Sequence, residues 1–367
     1  MRIAYLFGSL NRGGAETLLL DLFRNASKST LDSIGIYRKT GVLEADFIQS
    51  GIPMYHVPFS RNIIGYLRRL RNLLLKNKVN IVHAQQPIDA LYAWLACIGT
   101  DSKIALTLHG YDVDDTCFAN RILRFIIKRT TVNIFVSNNQ RQYYQVKYRL
   151  KQEKQQVVYN GISFDKLTSP LIPVSIREEL KISSDSVLLG CVGNFVTVRD
   201  HYFVCRVLNL LKEHHVDFHF LFVGKRVESV GYLYDECVDF CRQKGLNDRV
   251  SFLGSRNDVP SILPQLDAFV YASDHDTFGI AVVEAMAAGV PVFVNDWEVM
   301  KEITEGGKYA TLYKTKDEQD LFRHFMSFLQ DRSSYQAKSL LAAEFVRKRY
   351  SIEQHTEILK KVYQAIL

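Results

Sequence analysis

One unit recurs along this chain: a short apolar run, a turn, and a helix-favouring stretch. Arg2 to Leu10 is the first such run, Asn11-Arg12-Gly13-Gly14 is its turn, and Ala15 to Arg24 is its helical stretch. Val79 to Ala84, Ile104 to His109, Asn133 to Ser137 and Gln156 to Tyr159 read as further buried strands, with helical sequence between most of them. Parallel neighbours need a crossover long enough to hold a helix, and those helices cover both faces of the sheet, so strands alternating with helices predict a parallel α/β domain.

At 367 residues the chain is long for one core, since single cores stop growing near roughly 250 to 300 residues. The sequence becomes turn-like after Asn160-Gly161, through Ser169-Pro170 and Ile172-Pro173, and a second series of strands starts at Ser186. Val187 to Val192, Phe218 to Val223, Val250 to Leu253, Ala268 to Ala272 and Val290 to Val294 predict a second parallel domain of five strands. The expected division is 1–170 and 171–350, with a final amphipathic helix over 351–367 whose apolar side carries Ile358, Leu359, Val362, Tyr363 and Ile366.

Met1 to Leu10 reads as a strand rather than a secretory leader, and Ala90 to Gly99 falls short of the roughly 18 apolar residues a spanning helix needs. The six cysteines match neither a zinc ribbon nor a redox pair, and the expectation is reduced core thiols in a cytoplasmic protein. Charge is uneven: residues 1–170 hold 23 Lys and Arg against 12 Asp and Glu, a balance of +11, while the remainder sits at −4. This asymmetry suggests an anionic partner for the front half, either a membrane surface or nucleic acid, with ordinary surface charge as the alternative. Nucleic acid is disfavoured, because no aromatic-plus-basic RNA motif, zinc module or helix-turn-helix is found. In Ile63 to Leu74, Ile63, Leu67, Leu70 and Leu74 share a predicted apolar stripe while Arg68, Arg69 and Lys76 project away from it. That helix is either a packed surface helix with a solvated face or a contact with anionic headgroups at the inner face of the cytoplasmic membrane.

The segment richest in chemistry runs from Asp267 through Ala268-Phe-Val-Tyr-Ala-Ser273, then Asp274-His-Asp-Thr-Phe-Gly279, to Ala288 and Gly289-Val-Pro291. It reads as strand, polar loop, helix and glycine stop. A helix starting near Phe278-Gly279 turns its first N–H groups and positive dipole end outward, which makes a seat for a diphosphate. Asp276 stands at its mouth and Glu284 two turns along. A carboxylate beside a phosphate seat makes sense when the ligand also offers hydroxyl donors, as a nucleotide sugar does. The plainer alternatives are a helix-capping Asp276 and a solvated Glu284.

This segment resembles the donor-site motif of the retaining glycosyltransferases of family 4, which have the GT-B architecture of two Rossmann-like parallel-sheet domains facing a cleft. The motif is Glu, seven residues, Glu; here Glu284 is the second, Asp276 replaces the first, and Thr277 stands where the family usually has Gly. The resemblance implies that Asp276 faces the donor sugar's hydroxyls, that Glu284 binds the ribose, and that amides around Phe278, Gly279 and Ile280 meet sugar or phosphate. Asn11-Arg-Gly-Gly-Ala-Glu16 is similar to the family's first glycine-rich loop, which assigns Gly13 and Gly14 to the diphosphate and acceptor. The family's Arg and Lys, five residues apart, fall on Asn194 and Arg199 after Gly193, so Arg199 keeps one cation against the diphosphate. His109 matches the family's strand-end His facing the donor sugar, and the last helix matches one that returns to the N-terminal domain.

By this resemblance the expected reaction is retaining transfer of a hexose-type sugar from a nucleotide diphosphate sugar, UDP-sugar foremost, to a saccharide or polyprenol-diphosphate-linked acceptor in bacterial surface polysaccharide assembly. No cofactor and no metal are expected: Asp112-Val-Asp114 and Asp274-His-Asp276 are patterns common by chance, and cationic groups serve the diphosphate. A nucleotide-sugar 2-epimerase of the same architecture is an alternative, but it would need a cluster of acid and base carboxylates and histidines around the sugar that this sequence does not assemble. A weakly catalytic nucleotide-sugar or membrane-surface binding protein is the other alternative, supported by the departures at Asn194, Asp276 and Thr277.

Overall fold

The computed structural model describes residues 1–11, 13–26, 31–59, 62–112, 118–165 and 175–367. They form two compact units, Met1–Ser163 with Tyr350–Leu367, and Phe164–Arg349. Part of the predicted turn-like connection, along with Arg12, Asp114 and Cys117, lies outside the described residues.

The first unit is built on seven parallel strands: β1 (Arg2–Ser9), β2 (Asp32–Lys39), β3 (Met54–His56), β4 (Ile81–Ala84), β5 (Lys103–Leu108), β6 (Val132–Phe135) and β7 (Gln155–Val157). Their spatial order is β3-β2-β1-β4-β5-β6-β7. The second unit has β8 (Val187–Val192), β9 (Phe218–Val223), β10 (Val250–Phe252), β11 (Ala268–Tyr271), β12 (Val292–Asn295) and β13 (Thr311–Tyr313), in the order β10-β9-β8-β11-β12-β13. The strand order of each sheet reverses once, between β1 and β4 and between β8 and β11. In doubly wound sheets, ligands bind outside the carboxyl ends of the strands at such a switch point.

β2, β3 and β13 are absent from the sequence expectation, and the second sheet has six strands rather than five. β2 pairs with β1 from Arg2↔Asp32 to Ser9↔Lys39, but it begins on Asp, ends on Arg-Lys and has Gly35 at its centre, which hides its core run. β3 and β13 are three-residue edge strands, held by their neighbours' ladders rather than by their own propensity.

The last helix, Ile352–Ile366, belongs to the first unit. Ser351 caps it by accepting from Gln354 N, and Leu359, Val362 and Tyr363 are buried in the cluster that holds Ile3, Tyr5 and Phe7. Each such side chain contributes about 1.5 to 3 kcal/mol of burial. A polar chain fixes its rotation: Tyr363 donates to Tyr5 Oη at 3.0 Å, so His83 Nδ1 donates to Tyr363 at 2.6 Å and His83 Nε2 accepts from Thr107 at 2.7 Å. His83 is therefore a neutral imidazole, and burial pushes its pKa down to about 3.

The five described cysteines, Cys97, Cys191, Cys205, Cys237 and Cys241, are buried thiols without disulfides. No helix among the described residues is long and apolar enough to cross a membrane.

Acid should loosen the first unit. His83, His109 and His355 are held near pKa values of about 3, about 4 and about 4, chiefly by burial, against an ordinary value of about 6.5. The unfolded chain therefore binds protons that the folded one refuses, and stability is lost as pH falls from about 6.5 towards 4. Asp89, raised by burial to about 7, works in the opposite direction over much of that window, but it is one group against three. The urea midpoint of the first unit should drop between pH 7 and pH 5; a midpoint that holds or rises would contradict this reading.

Candidate functional site

Two loops leave the carboxyl ends of the strands flanking the second switch point. After β8 comes Gly193-Asn-Phe-Val-Thr-Val-Arg199, anchored by Phe195, which is buried against His201 with ring centroids 4.3 Å apart. Gly193 N donates to Val223 O at 2.9 Å, and a Cβ at Gly224 would fall on the Gly193 carbonyl, so the next loop passes at backbone distance. Asn194 accepts from Lys225 N at 3.0 Å, which commits its side chain oxygen to joining these loops. Asp200 ends the segment by capping the helix His201–Glu213 through Phe203 N.

The second loop follows β11. Ser273 exchanges two hydrogen bonds with the Asn295 amide, at 3.1 and 2.9 Å. An antiparallel bridge joins Arg199 to Ser273, with Asp200 N donating to Ala272 O at 3.2 Å and Asp274 N to Val198 O at 3.3 Å. The loops are thereby laced together, and Arg199 and Asp276 are held on one side of the switch point.

Gly279 then starts the helix Ile280–Ala287. Its φ of +86° lies in the left-handed region, and a Cβ would approach Met300 Cε to 2.9 Å, so the position demands glycine twice over. No side chain caps this helix, which disposes of a capping role for Asp276. Phe278 is buried beneath the turn and Glu284 is half-buried on the second turn.

Arg199 and Asp276 meet directly. Nη1 lies 2.8 Å from Oδ2, with both side chains only 17% exposed. The same Oδ2 accepts from the Tyr271 hydroxyl, and the guanidinium carbon sits 4.3 Å from the centroid of the Tyr271 ring. Arg199 is thus a largely covered, stacked cation rather than an exposed helix-start arginine. Both outer carboxylates of Asp274-His-Asp276 carry a cation, Lys316 at 2.8 Å from Asp274 and Arg199 on Asp276. Asp112 pairs with Lys147 at 3.2 Å and Tyr148 donates to it.

In the first unit, Gly14 is the first residue of the helix Gly14–Ala26, and a Cβ at Gly13 would collide with the Glu16 carboxylate. His109 follows β5, its Nε2 donating to Gln85 Oε1 at 2.9 Å. Burial first, then neighbouring His355, push its pKa down to about 4, so it is a neutral hydrogen-bonding ring.

Sequence reasoning missed Tyr271, which reads as one more apolar strand residue, and the pair of Arg38 and Asp89. Arg38 Nη2 lies 2.8 Å from Asp89 Oδ1, whose side chain is fully buried. Gly8 leaves the room this requires, since a Cβ there would sit 3.1 Å from both Arg38 Nη2 and Gln86 Oε1.

Arg68, Arg69 and Lys76 are exposed on the helix Ile63–Lys76, but its buried ridge runs through Tyr66, Leu70 and Leu74. Ile63, expected in the apolar stripe, is 43% exposed, and Ile64 is 61% exposed. The i, i+4 ridge starting at Tyr66 packs on Tyr92, which rotates the first turn outward.

Family models match almost the whole chain: the Glycosyltransferase Family 4 model over residues 12–166 and the Glycosyl transferases group 1 model over 175–340. Putative glycosyltransferase EpsF of Bacillus subtilis (strain 168) is 24% identical over 309 residues, covering 80% of this chain and 79% of EpsF. An Escherichia coli UDP-Gal:alpha-D-GlcNAc-diphosphoundecaprenol alpha-1,3-galactosyltransferase is 24% identical over 301 residues, covering 77% and 76%. The crystal structure of Anabaena Alr3699/HepE in complex with UDP and glucose superposes with a TM-score of 0.86 at 18% identity, covering 100% of both chains. The fold is GT-B, and the chain belongs to the family 4 glycosyltransferases. It is a sugar-transferring enzyme.

Gly279→Ala should cost about 1 to 2 kcal/mol, the cost of a left-handed conformation at a residue with a Cβ. Chemical denaturation should show a lower midpoint for the second unit. A midpoint equal to wild type would mean that the turn does not need glycine.

Proposed function

We propose that this enzyme transfers a hexose-type sugar from a UDP-sugar, with retention of anomeric configuration, to a saccharide or polyprenol-diphosphate-linked acceptor in bacterial surface polysaccharide assembly. The observation that carries this reading is Arg199 held beside Asp276 and the start of the Ile280–Ala287 helix at the second switch point. A cation, a row of helix-start amides and a carboxylate fit the three parts of such a donor: diphosphate, anomeric region and sugar hydroxyls. Glu284, on the second turn, is suited to a ribose diol. UDP and glucose in the similarly folded HepE complex, and the lipid-diphosphate acceptor named for the E. coli relative, support the choice of donor and acceptor classes.

In the proposed step the acceptor hydroxyl forms a bond to the anomeric carbon on the face from which the sugar–phosphate bond breaks. The departing phosphate oxygen takes the hydroxyl proton, so no separate base is needed. Arg199 and the helix-start amides stabilise the charge growing on the diphosphate without a metal. His109, as a neutral imidazole, is suited to hydrogen bond a sugar hydroxyl.

Binding and hydrolysis across UDP-, GDP- and ADP-sugars test the assignment. Arg199→Ala should weaken UDP binding about 10- to 100-fold, as expected for losing a hydrogen bond to a charged group. Glu284→Ala should weaken the nucleotide and its sugar donor alike. If no nucleotide binds the wild type, or both variants bind as it does, the donor-site reading falls.

The enzyme is further proposed to work peripherally at the inner face of the cytoplasmic membrane. Arg68, Arg69 and Lys76 support this, together with the helix Phe118–Ile126, where Phe118 and Phe125 are 73% and 42% exposed beside Arg121 and Arg124. Exposed aromatics among cations suit an anionic interface. Co-sedimentation with phosphatidylglycerol vesicles should exceed that with phosphatidylcholine vesicles and fall with salt. Arg68→Glu with Arg69→Glu should reduce it at least about fivefold, since each cation contributes about 1 kcal/mol. Equal binding to both vesicle types would refute the electrostatic contact.

A further inference from the structure

We infer that Tyr271 is a positioning residue for sugar selection, an extension that rests on the donor-site reading above. Tyr271 ends β11 and is almost completely buried. Its position is fixed from several sides. Its carbonyl accepts from the Tyr313 hydroxyl at 2.8 Å, and Phe269, two residues earlier on the same face of the strand, stacks towards it at 6.3 Å.

The Tyr271 hydroxyl donates to Asp276 Oδ2, the oxygen already paired with Arg199 Nη1 at 2.8 Å. One hydrogen bond and one ion pair on the same oxygen hold the carboxylate in a single orientation. Among the described residues, no hydrogen bond ties Oδ1. The protein therefore takes one oxygen of Asp276 and presents the other, which suits acceptance of a donor-sugar hydroxyl. Asp276 is one methylene shorter than the Glu of the family motif, so its reach is set by what pulls on it. Tyr271 supplies that pull from within the sheet. Its ring also stacks on the cation: the Arg199 guanidinium lies 4.3 Å from the ring centroid, so the same side chain supports the group proposed for the diphosphate.

Hydroxyl and ring separate by substitution. Tyr271→Phe keeps the ring under Arg199 and removes only the hydroxyl. It should leave UDP affinity and the thermal midpoint near wild type while raising KM for the sugar donor about tenfold. It should also narrow the preference among UDP-glucose, UDP-galactose and UDP-N-acetylglucosamine, with a smaller change in kcat. In an Asp276→Asn background the same change should add almost nothing, because the partner it positions is gone. Tyr271→Leu removes ring and hydroxyl together and should weaken UDP itself several-fold.

Wild-type KM and sugar preference in Tyr271→Phe, with UDP still bound, would overturn the inference and leave the donor site standing. Equal losses of UDP and sugar-donor binding in that variant would make Tyr271 merely structural and overturn it too. Failure of the wild-type enzyme to bind UDP or any of the three donors would remove the donor-site reading itself, and the inference with it.

Discussion

The site in the second unit depends on a backbone contact, the antiparallel bridge between Arg199 and Ser273. Parallel strands at a switch point diverge at their carboxyl ends because their crossovers leave to opposite faces of the sheet, and the loops there share no ladder of their own. The bridge restores one. It ties the loop that carries the cation to the loop that carries the carboxylate, and Asn295 braces it from β12 through both backbone groups of Ser273. Without it, Arg199 and Asp276 would sit on independently mobile loops, and an ion-pair geometry that must hold to a fraction of an ångström would have no support.

Electrostatics then shapes what the bridge has brought together. Arg199 and Asp276 neutralise each other across 2.8 Å at low exposure, where ion pairs are screened less than on an open surface. A ligand that approaches must engage both partners or leave one of them buried and unmatched, which is costly. A nucleotide alone offers phosphate to the arginine and nothing to the carboxylate. A nucleotide sugar offers phosphate and hydroxyls together. On the proposed donor-site reading, the pair would favour the complete donor over its fragments, through the cost of leaving a charge unpaired.

The parts of the chain legible beforehand were those in which sequence period and burial agree. β8 and β9 match their expected spans residue for residue, because Val187–Val192 and Phe218–Val223 are mostly apolar and mostly buried, with His219 the one polar residue. β2 was hidden by charged ends and a central glycine, although it is paired along its whole length with the central strand β1. At the site, Asp276, Glu284 and Arg199 were legible as charged residues at motif positions. The pairing of Arg199 with Asp276 was not, since it depends on the whole chain between them, three strands and their crossovers included, folding back into register. Arg38 and Asp89 escaped notice for the same reason: each is an ordinary charged residue until β2 and the helix Pro87–Ala96 after β4 bring them together.

Tyr271 shows why a core residue can be mistaken for scaffolding. By pattern it completes the run Ala-Phe-Val-Tyr, and by burial it is core. Yet it is the last strand residue before the polar loop, so its side chain bridges the apolar interior and the polar edge: ring inward beneath Arg199, hydroxyl outward on Asp276. A buried tyrosine needs a partner for its hydroxyl, and the least costly place to find one is where a strand runs out of sheet. In a Rossmann-like domain that place is also where ligands bind. Tyrosines at the carboxyl ends of switch-point strands are thus under two demands, packing and polar satisfaction, and the group that meets the second is drawn from the site itself. A shortened carboxylate at position 276 and a tyrosine at 271 answer one another: the aspartate lacks the reach to settle its own position, and the hydroxyl lacks a partner in the core.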